Sequence, residues 1–299
     1  MSRGGAHGVF CAALTPLEND GSACAQLLDT HLRFLTDAGC KGIVLLGTTG
    51  EANSFTVAER NAILDGVIER GFPAERLIVG TGCCAAGDTA ALTRHALDRG
   101  VRRVLMLPPF YYKNLAEDGI VESFARVIET VADEQLRIYL YQIPQLSGAS
   151  FTPSVIEILC EKYPRTIAGI KDSSGDWLAI KELCTRFGER LDVLVGSERF
   201  LLDGVHAGAT GCVTATANAH PAMICELYDE RDSADARRLQ EKVTEARFVF
   251  EGYPMIAALK EICAHRTADA RWCNVRPPLT ALSPAASDSL MARADARWS

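Results

Sequence analysis

The feature that most constrains the fold of this 299-residue chain is a regular alternation of two kinds of segment. Short runs of β-branched and apolar residues alternate with longer segments whose apolar residues recur at helical spacing. Strands that are apolar on both faces and separated by helices pair in parallel through right-handed crossovers. The strand-like runs number eight and cover residues 8–14, 42–46, 77–80, 103–107, 137–141, 167–171, 193–196 and 211–214.

Eight such units predict an α/β fold, a (β/α)8 TIM barrel, and the chain has the length of one. Thr56, Asp88 and Thr152-Pro153 are predicted helix starts. The open doubly wound sheet is the alternative, disfavoured in its dinucleotide-binding form because no Gly-x-Gly-x-x-Gly turn follows the first run. The helices predicted between strands cover residues 24–38, 57–70, 89–99, 118–131 and 154–161.

After the eighth run the pattern is helical only. We therefore expect a barrel domain over residues 1–218 that carries the active site, and a C-terminal helical extension over 219–299 packed on it. No Gly/Ser linker or short repeat divides the chain further. The predicted helices of the extension cover residues 219–231, 234–250, 254–265 and 284–299.

Composition excludes several classes of protein. A hydrophobic fraction of 48% with 23% charged residues is typical of a globular protein with ample core. The net charge of −7 has no basic block or stripe, so we expect no nucleic-acid partner. No segment approaches the roughly 18 to 20 apolar residues that span a bilayer. The first eight residues lack the apolar core of a signal peptide, so we expect a cytoplasmic protein without a membrane partner.

The eleven cysteines do not form a disulfide framework or a zinc site. They are odd in number and scattered, several lie inside apolar runs, and no Cys-x-x-Cys pair occurs. In a reducing compartment they are most simply thiols. We therefore expect no metal and no cofactor.

Lys171 ends the sixth apolar run, where the sequence turns to Asp-Ser-Ser-Gly. In a barrel, catalytic groups gather at the C-terminal ends of the strands. Apolar surroundings lower the pKa of a lysine, and an unprotonated amine attacks a carbonyl to form a Schiff base. The alternative is a lysine that extends its ammonium group to solvent from a strand end.

Two other strand ends carry polar groups. Residues 47–51 (Gly-Thr-Thr-Gly-Glu) offer amide and hydroxyl donors that can cradle a carboxylate, or they form an ordinary turn. Tyr141 ends the fifth run beside the run of Lys171, and its phenol can transfer protons there or simply pack in the core. The stiff aromatic loop over residues 107–113 follows the fourth run and is typical of loops that cover neighbours or form interfaces.

Together these motifs resemble the dihydrodipicolinate synthase and N-acetylneuraminate lyase family of class I aldolases. They fall in the family's order, and the resemblance covers nearly the whole chain. The matching stretches are residues 47–51, 109–112 (Pro-Phe-Tyr-Tyr), 141–144 (Tyr-Gln-Ile-Pro), 169–175 (Gly-Ile-Lys-Asp-Ser-Ser-Gly), 211–218 and 275–280.

The resemblance implies an imine between Lys171 and the keto carbon of pyruvate or a longer 2-oxo acid. It implies that Tyr141 transfers protons, and that Thr48 and Thr49 bind the substrate carboxylate beside Gly50 and extend the proton relay. A homotetramer built from tight dimers is also implied. Tyr111 would cross the dimer interface to the neighbouring site, although adjacent Tyr112 leaves a one-residue ambiguity, and the backbone carbonyl of Val213 would contact the substrate.

The chain departs from the family's lysine-pathway members at residues 145–148. Those members usually read Ser-Arg-Thr-Gly there, and the arginine binds the carboxylate of the second substrate. Here the stretch is Gln-Leu-Ser-Gly, and Leu146 cannot pair with a carboxylate. We therefore expect cleavage, condensation or dehydration of a 2-keto-3-deoxy sugar acid or a 4-hydroxy-2-oxoglutarate type substrate. Ser173, Ser174, Ser197 and Glu198 are the candidates for setting specificity, unless they serve only in turns and helix caps.

Three alternatives remain open. The first is dihydrodipicolinate synthase itself, which condenses pyruvate with aspartate semialdehyde. The second is a barrel that only binds small carboxylates, which would need neither the lysine nor the phenol. The third is a metal-dependent pyruvate aldolase, which is weak because the six histidines fall mostly in helical or terminal segments.

Overall fold

The computed structural model describes residues 5–298 and contains a closed barrel of eight parallel strands in sequential order, β1 to β8, with β8 paired to β1. The predicted (β/α)8 TIM barrel is confirmed. The first four residues of the predicted barrel domain and the last residue of the predicted extension lie outside the described residues. The strands are Gly8–Ala12 (β1), Gly42–Leu45 (β2), Leu77–Gly80 (β3), Arg103–Met106 (β4), Arg137–Gln142 (β5), Ile167–Asp172 (β6), Asp192–Val195 (β7) and Gly211–Thr214 (β8).

Helices connect the strands and form the outer ring. Thr56 begins α2 as predicted, in a capping box with Glu59, and Thr152 caps α6. The predicted start at Asp88 is wrong, because α3 begins at Ala86 and Asp88 lies in its first turn. The helices before β8 are Ala25–Asp37 (α1), Val57–Glu69 (α2), Ala86–Asp98 (α3), Glu117–Val131 (α4), Pro144–Ser147 (α5), Pro153–Lys162 (α6), Trp177–Phe187 (α7) and Leu201–His206 (α8).

Between β8 and residue 298 the structure contains only helices, and they supply most of a separate hydrophobic cluster. Trp272 and Phe250 are fully buried there, against Leu14 just after β1. Helix α9 packs against β1, and the predicted domain boundary between residues 218 and 219 stays a prediction. These helices are Pro221–Asp229 (α9), Ala236–Phe248 (α10), Met255–Thr267 (α11) and Pro284–Trp298 (α12).

The barrel interior is closed by side chains. One buried hydrophobic cluster contains Phe10, Val44, Ile78, Leu105 and Leu194, one residue from each of five strands. A second and larger apolar cluster lies between the strands and the surrounding helices. The strand ends and the loops after them are therefore the part of the barrel that supplies polar groups to the mouth.

Residues 5–298 contain neither a candidate membrane-spanning helix nor a candidate metal site. None of the helices there is long and apolar enough to cross a membrane. No group of three or more His, Cys, Asp or Glu residues in that range is placed to hold a metal ion. All eleven cysteines are free.

Candidate active site

Lys171 and Tyr141 lie side by side at the C-terminal mouth of the barrel. They are directly paired residues of β6 and β5, so both side chains point to the same side of the sheet. The Nζ atom of Lys171 is 4.3 Å from the centre of the Tyr141 ring. Both side chains are buried, and both line a cavity.

The phenol of Tyr141 contacts a hydroxyl group of the turn after β2. Its hydroxyl is 3.2 Å from Oγ1 of Thr48. Thr48, Thr49, Tyr141 and Lys171 all line one cavity of about 650 Å³, which is large enough for a small sugar acid. The structure thus brings together the lysine, the phenol and both threonines that the sequence singled out.

The turn over residues 47–51 does not use its glycines for left-handed backbone conformations. Leu46 and Glu51, rather than Gly47 or Gly50, adopt left-handed conformations, with φ of 56° and 58°. Gly50 is required for close approach: a Cβ atom there would lie 3.0 Å from the carbonyl oxygen of Ala13. Gly50 does not line the cavity, and its carbonyl accepts a hydrogen bond of 2.8 Å from Thr15.

The segment after Lys171 is organised by Asp172. Its carboxylate accepts hydrogen bonds from Gln142 at 2.8 Å and from the hydroxyl of Ser174 at 2.5 Å. Burial raises the pKa of the Asp172 carboxyl, although the bonds from Ser174 and Gln142 oppose that change. The Ser174 hydroxyl is therefore committed to the turn, whereas the Ser173 hydroxyl lines the cavity without a partner within residues 5–298.

Of the remaining predicted site residues on β7 and β8, two reach the cavity. Ser197 lines it, and its hydroxyl accepts a bond of 3.4 Å from the amide of Arg199. Val213 lines it from β8. Glu198 does not line it; its side chain is buried behind the wall, where Thr214 and Thr216 donate to the carboxylate.

The aromatic loop lies outside the cavity of this chain. Tyr111 and Tyr112 are 73% and 72% exposed and contact each other edge to face, with ring centres 5.3 Å apart. Leu146, in contrast, lines the cavity from α5 and is 64% exposed. The apolar side chain at this position therefore borders the same cavity as Lys171.

Sequence reasoning missed the part of the cavity wall that comes from beyond β8. Arg247 at the end of α10 lines the cavity, as do residues 254–257 at the start of α11 and residues 278–280. Arg199, after β7, also lines it. Nothing in the local sequence marks Arg247, because its partner Glu198 lies 49 residues earlier in the chain.

The protein is a (β/α)8 barrel with a cavity at the C-terminal mouth, the place where enzymes of this fold class carry their active sites. An uncharacterized DapA-like lyase of Chloroflexus aurantiacus is 36% identical over 279 residues, which cover 92% of each protein. The crystal structure of dihydrodipicolinate synthase from Agrobacterium tumefaciens has a TM-score of 0.90 at 29% identity, covering 98% of this chain and 100% of the other. YagE from E. coli K12, described in complex with pyruvate, has a TM-score of 0.88 at 23% identity, covering 98% of each chain, and shows the shared fold alone.

The family model for the dihydrodipicolinate synthetase family matches residues 5–297. The chain belongs to this family, and it is a lyase. The resemblance inferred from the sequence motifs is confirmed.

Proposed function

We propose that this lyase works through a Schiff base between Lys171 and the keto carbon of pyruvate or a longer 2-oxo acid. The observation that carries the proposal is the pairing of Lys171 with Tyr141, with Nζ 4.3 Å from the ring centre, inside the cavity. A barrel that only binds carboxylates would need the hydroxyl groups of Thr48 and Thr49 but not this pair.

The proposed reaction begins when the lone pair of Nζ attacks the keto carbon of the substrate. The carbonyl oxygen takes up two protons, one that the attacking nitrogen gives up and one from Tyr141, and leaves as water, which gives a protonated imine. Tyr141 supplies and removes these protons, and its bond of 3.2 Å to Thr48 connects it to the carboxylate cradle. Thr49 lies in the same turn and binds the substrate carboxylate with Thr48.

The protonated imine then acts as an electron sink. In aldol cleavage of a 4-hydroxy-2-oxo acid, a base removes the hydroxyl proton, the bond between the third and fourth carbons breaks, and its electron pair enters the imine to give an enamine. An aldehyde leaves. Protonation of the enamine and addition of water then release pyruvate and free the lysine.

Our proposed substrate is a 2-keto-3-deoxy sugar acid or a 4-hydroxy-2-oxoglutarate type acid. Leu146 faces the cavity where an arginine would be needed for the semialdehyde of the lysine pathway, and it offers no hydrogen bond. The free hydroxyl of Ser173 and that of Ser197 supply partners for a hydroxylated chain. Because dihydrodipicolinate synthase is the name of a structural relative, condensation of pyruvate with aspartate semialdehyde is the second candidate.

We further propose a homotetramer of tight dimers, in which Tyr111 of one subunit reaches the neighbouring site. Its 73% exposure, in contact with Tyr112 at 72%, supports this arrangement, because contiguous exposed apolar surface marks interaction sites. A monomer in sedimentation would contradict it.

The experiment that separates the candidates is a substrate panel. Aspartate semialdehyde with pyruvate is assayed against several 2-keto-3-deoxy acids and 4-hydroxy-2-oxoglutarate, with release of pyruvate as the readout for cleavage. We expect turnover of the hydroxylated acids. Activity confined to the semialdehyde would overturn our interpretation of Leu146, and no turnover in the entire panel would favour a barrel that only binds carboxylates.

A further inference from the structure

Arg247 brings a guanidinium group into the cavity from the helical extension. It lies in the last turn of α10 and lines the cavity that holds Lys171. The imine chemistry does not use it, because the carboxylate next to the keto group is bound at the turn after β2. The cavity therefore has a cation without an assigned task.

This guanidinium group is held in place by Glu198. Its Nη1 atom donates to both carboxylate oxygens of Glu198, at 3.0 and 3.3 Å. Burial alone raises the pKa of Glu198, but the charge of Arg247 and the bonds from Thr214 and Thr216 outweigh it and hold the pKa below its ordinary value. Within residues 5–298, Nε and Nη2 of Arg247 make no hydrogen bond, so part of the planar donor fork stays available.

A second arginine is connected to this pair through the chain neighbours of both its members. Arg199 follows Glu198, and its guanidinium carbon is 5.1 Å from the ring centre of Phe248, the residue after Arg247. Arg199 lines the same cavity. Together the two arginines and the carboxylate of Glu198 carry one net positive charge, which matches one carboxylate better than a phosphate dianion.

We propose that Arg247, with Arg199 beside it, binds a second carboxylate at the far end of the substrate. The substrate class is then a 2-oxo diacid, so that of the proposed substrates the diacids are preferred over the monoacids. This inference rests on the Schiff-base function proposed above. Leu146 cannot bind a second carboxylate. In this chain an arginine of the helical extension binds it instead.

The test removes the guanidinium group without leaving a buried carboxylate unpaired. Arg247→Gln alone would strand Glu198, a change that can prevent folding. The matched pair is therefore Glu198→Gln, which keeps Arg247, and the double variant Glu198→Gln/Arg247→Gln, whose neutral side chains can still hydrogen-bond to each other. Circular dichroism checks that both variants fold.

The measurement is the concentration of acid that gives half-maximal borohydride trapping on the protein. Pyruvate is the first probe. The other probes are two diacids, 2-oxoglutarate and 2-oxoadipate, and each diacid is compared with the 2-oxo monoacid of the same chain length. We expect wild type and Glu198→Gln to prefer a diacid over its matched monoacid. In the double variant we expect diacid binding to weaken by about 10- to 100-fold, while pyruvate changes by less than about 2-fold.

Three results would overturn the inference. In the first, wild type traps pyruvate but prefers neither diacid over its matched monoacid. In the second, the double variant keeps the preference of wild type for a diacid over its matched monoacid. Loss of pyruvate and diacid trapping together in a folded double variant would assign Arg247 to the support of the site instead. If wild type traps no 2-oxo acid at all, the Schiff-base function itself fails, a result that is distinct from the first three.

Discussion

The buried ion pair between Glu51 and Lys260 gives the sharpest prediction about how the extension supports the site. Both side chains are 0% exposed, and Nζ of Lys260 contacts Oε1 of Glu51. Nζ also donates to the carbonyl of Asn274 at 2.5 Å, and Oε2 of Glu51 accepts from the amide of Arg276 at 2.8 Å. Burial lowers the pKa of Lys260, and the charge of Glu51 opposes that change. Helix α11 is thereby joined to the turn that carries Thr48 and Thr49.

Lys260→Met leaves the carboxylate of Glu51 buried with only the Arg276 amide as partner. Removing one member of a buried pair costs about 3 to 5 kcal/mol, because the remaining charge is uncompensated. For a chain of this length that free energy corresponds to a fall in Tm of about 5 to 8 °C. The double variant Glu51→Gln/Lys260→Met replaces the pair by neutral groups of similar size, and we expect it to regain most of the loss.

Denaturant and thermal unfolding of wild type, both single variants and the double variant measure this coupling at one fixed protein concentration. We also expect Lys260→Met to raise the KM for the 2-oxo acid, since the turn after β2 loses its support. A Lys260→Met protein within about 1 kcal/mol of wild type would refute the reasoning, as would a double variant no more stable than Lys260→Met.

Three further predictions concern single positions. Tyr141→Phe, which loses the hydroxyl 3.2 Å from Thr48, should lower turnover by about 100-fold or more with an unchanged circular dichroism spectrum; near-normal turnover would remove its role in proton transfer. Gly50→Ala should destabilise the fold by about 1 to 3 kcal/mol, because the new Cβ atom would contact the carbonyl oxygen of Ala13. Gly66→Ala on α2 is the control and should not destabilise the fold, because a Cβ atom there would have no neighbour within 4 Å. Equal effects of the two changes on unfolding would contradict the close-approach argument. Burial lowers the pKa of His31 from 6.5 to about 4. As the pH drops, the imidazole of the unfolded chain therefore binds a proton before that of the folded chain does, and the free energy of unfolding falls by about 3 kcal/mol between pH 6.5 and 4. In His31→Gln the free energy of unfolding should depend less on pH between 4 and 6.5. An unchanged slope would contradict the proposed role of His31 in this pH dependence.

The strand and helix pattern could be predicted from the sequence because it depends on local spacing. Each predicted strand overlaps an observed one, and Thr56 begins α2 because a hydroxyl followed by Glu59 forms a capping box wherever a helix follows. Asp88 was wrong as a helix start because an acidic residue suits the first turn as well as the cap, and α3 begins two residues earlier. The backbone of the turn after β2 was not predicted either, since the left-handed residues there are Leu46 and Glu51.

The cavity could be predicted only where its residues end barrel strands. The fold places Lys171 and Tyr141 on directly paired positions, so the expectation that they lie together needed only the strand assignments. Arg247 enters the cavity through the packing of α10 against the loop after β7, which no sequence spacing specifies. Glu198 looked like a cavity residue, but its carboxylate turns inward to Arg247 and to Thr214.

Borohydride reduction with pyruvate present, followed by tryptic peptide mapping, tests the central claim most directly. Trypsin normally cuts after Lys171, but a reduced pyruvate adduct blocks that cut. We therefore predict one modified peptide covering residues 166–181, formed only when pyruvate is present and absent from Lys171→Arg. Normal cutting at Lys171 with no adduct, or adducts spread over the surface lysines, would contradict the Schiff-base account.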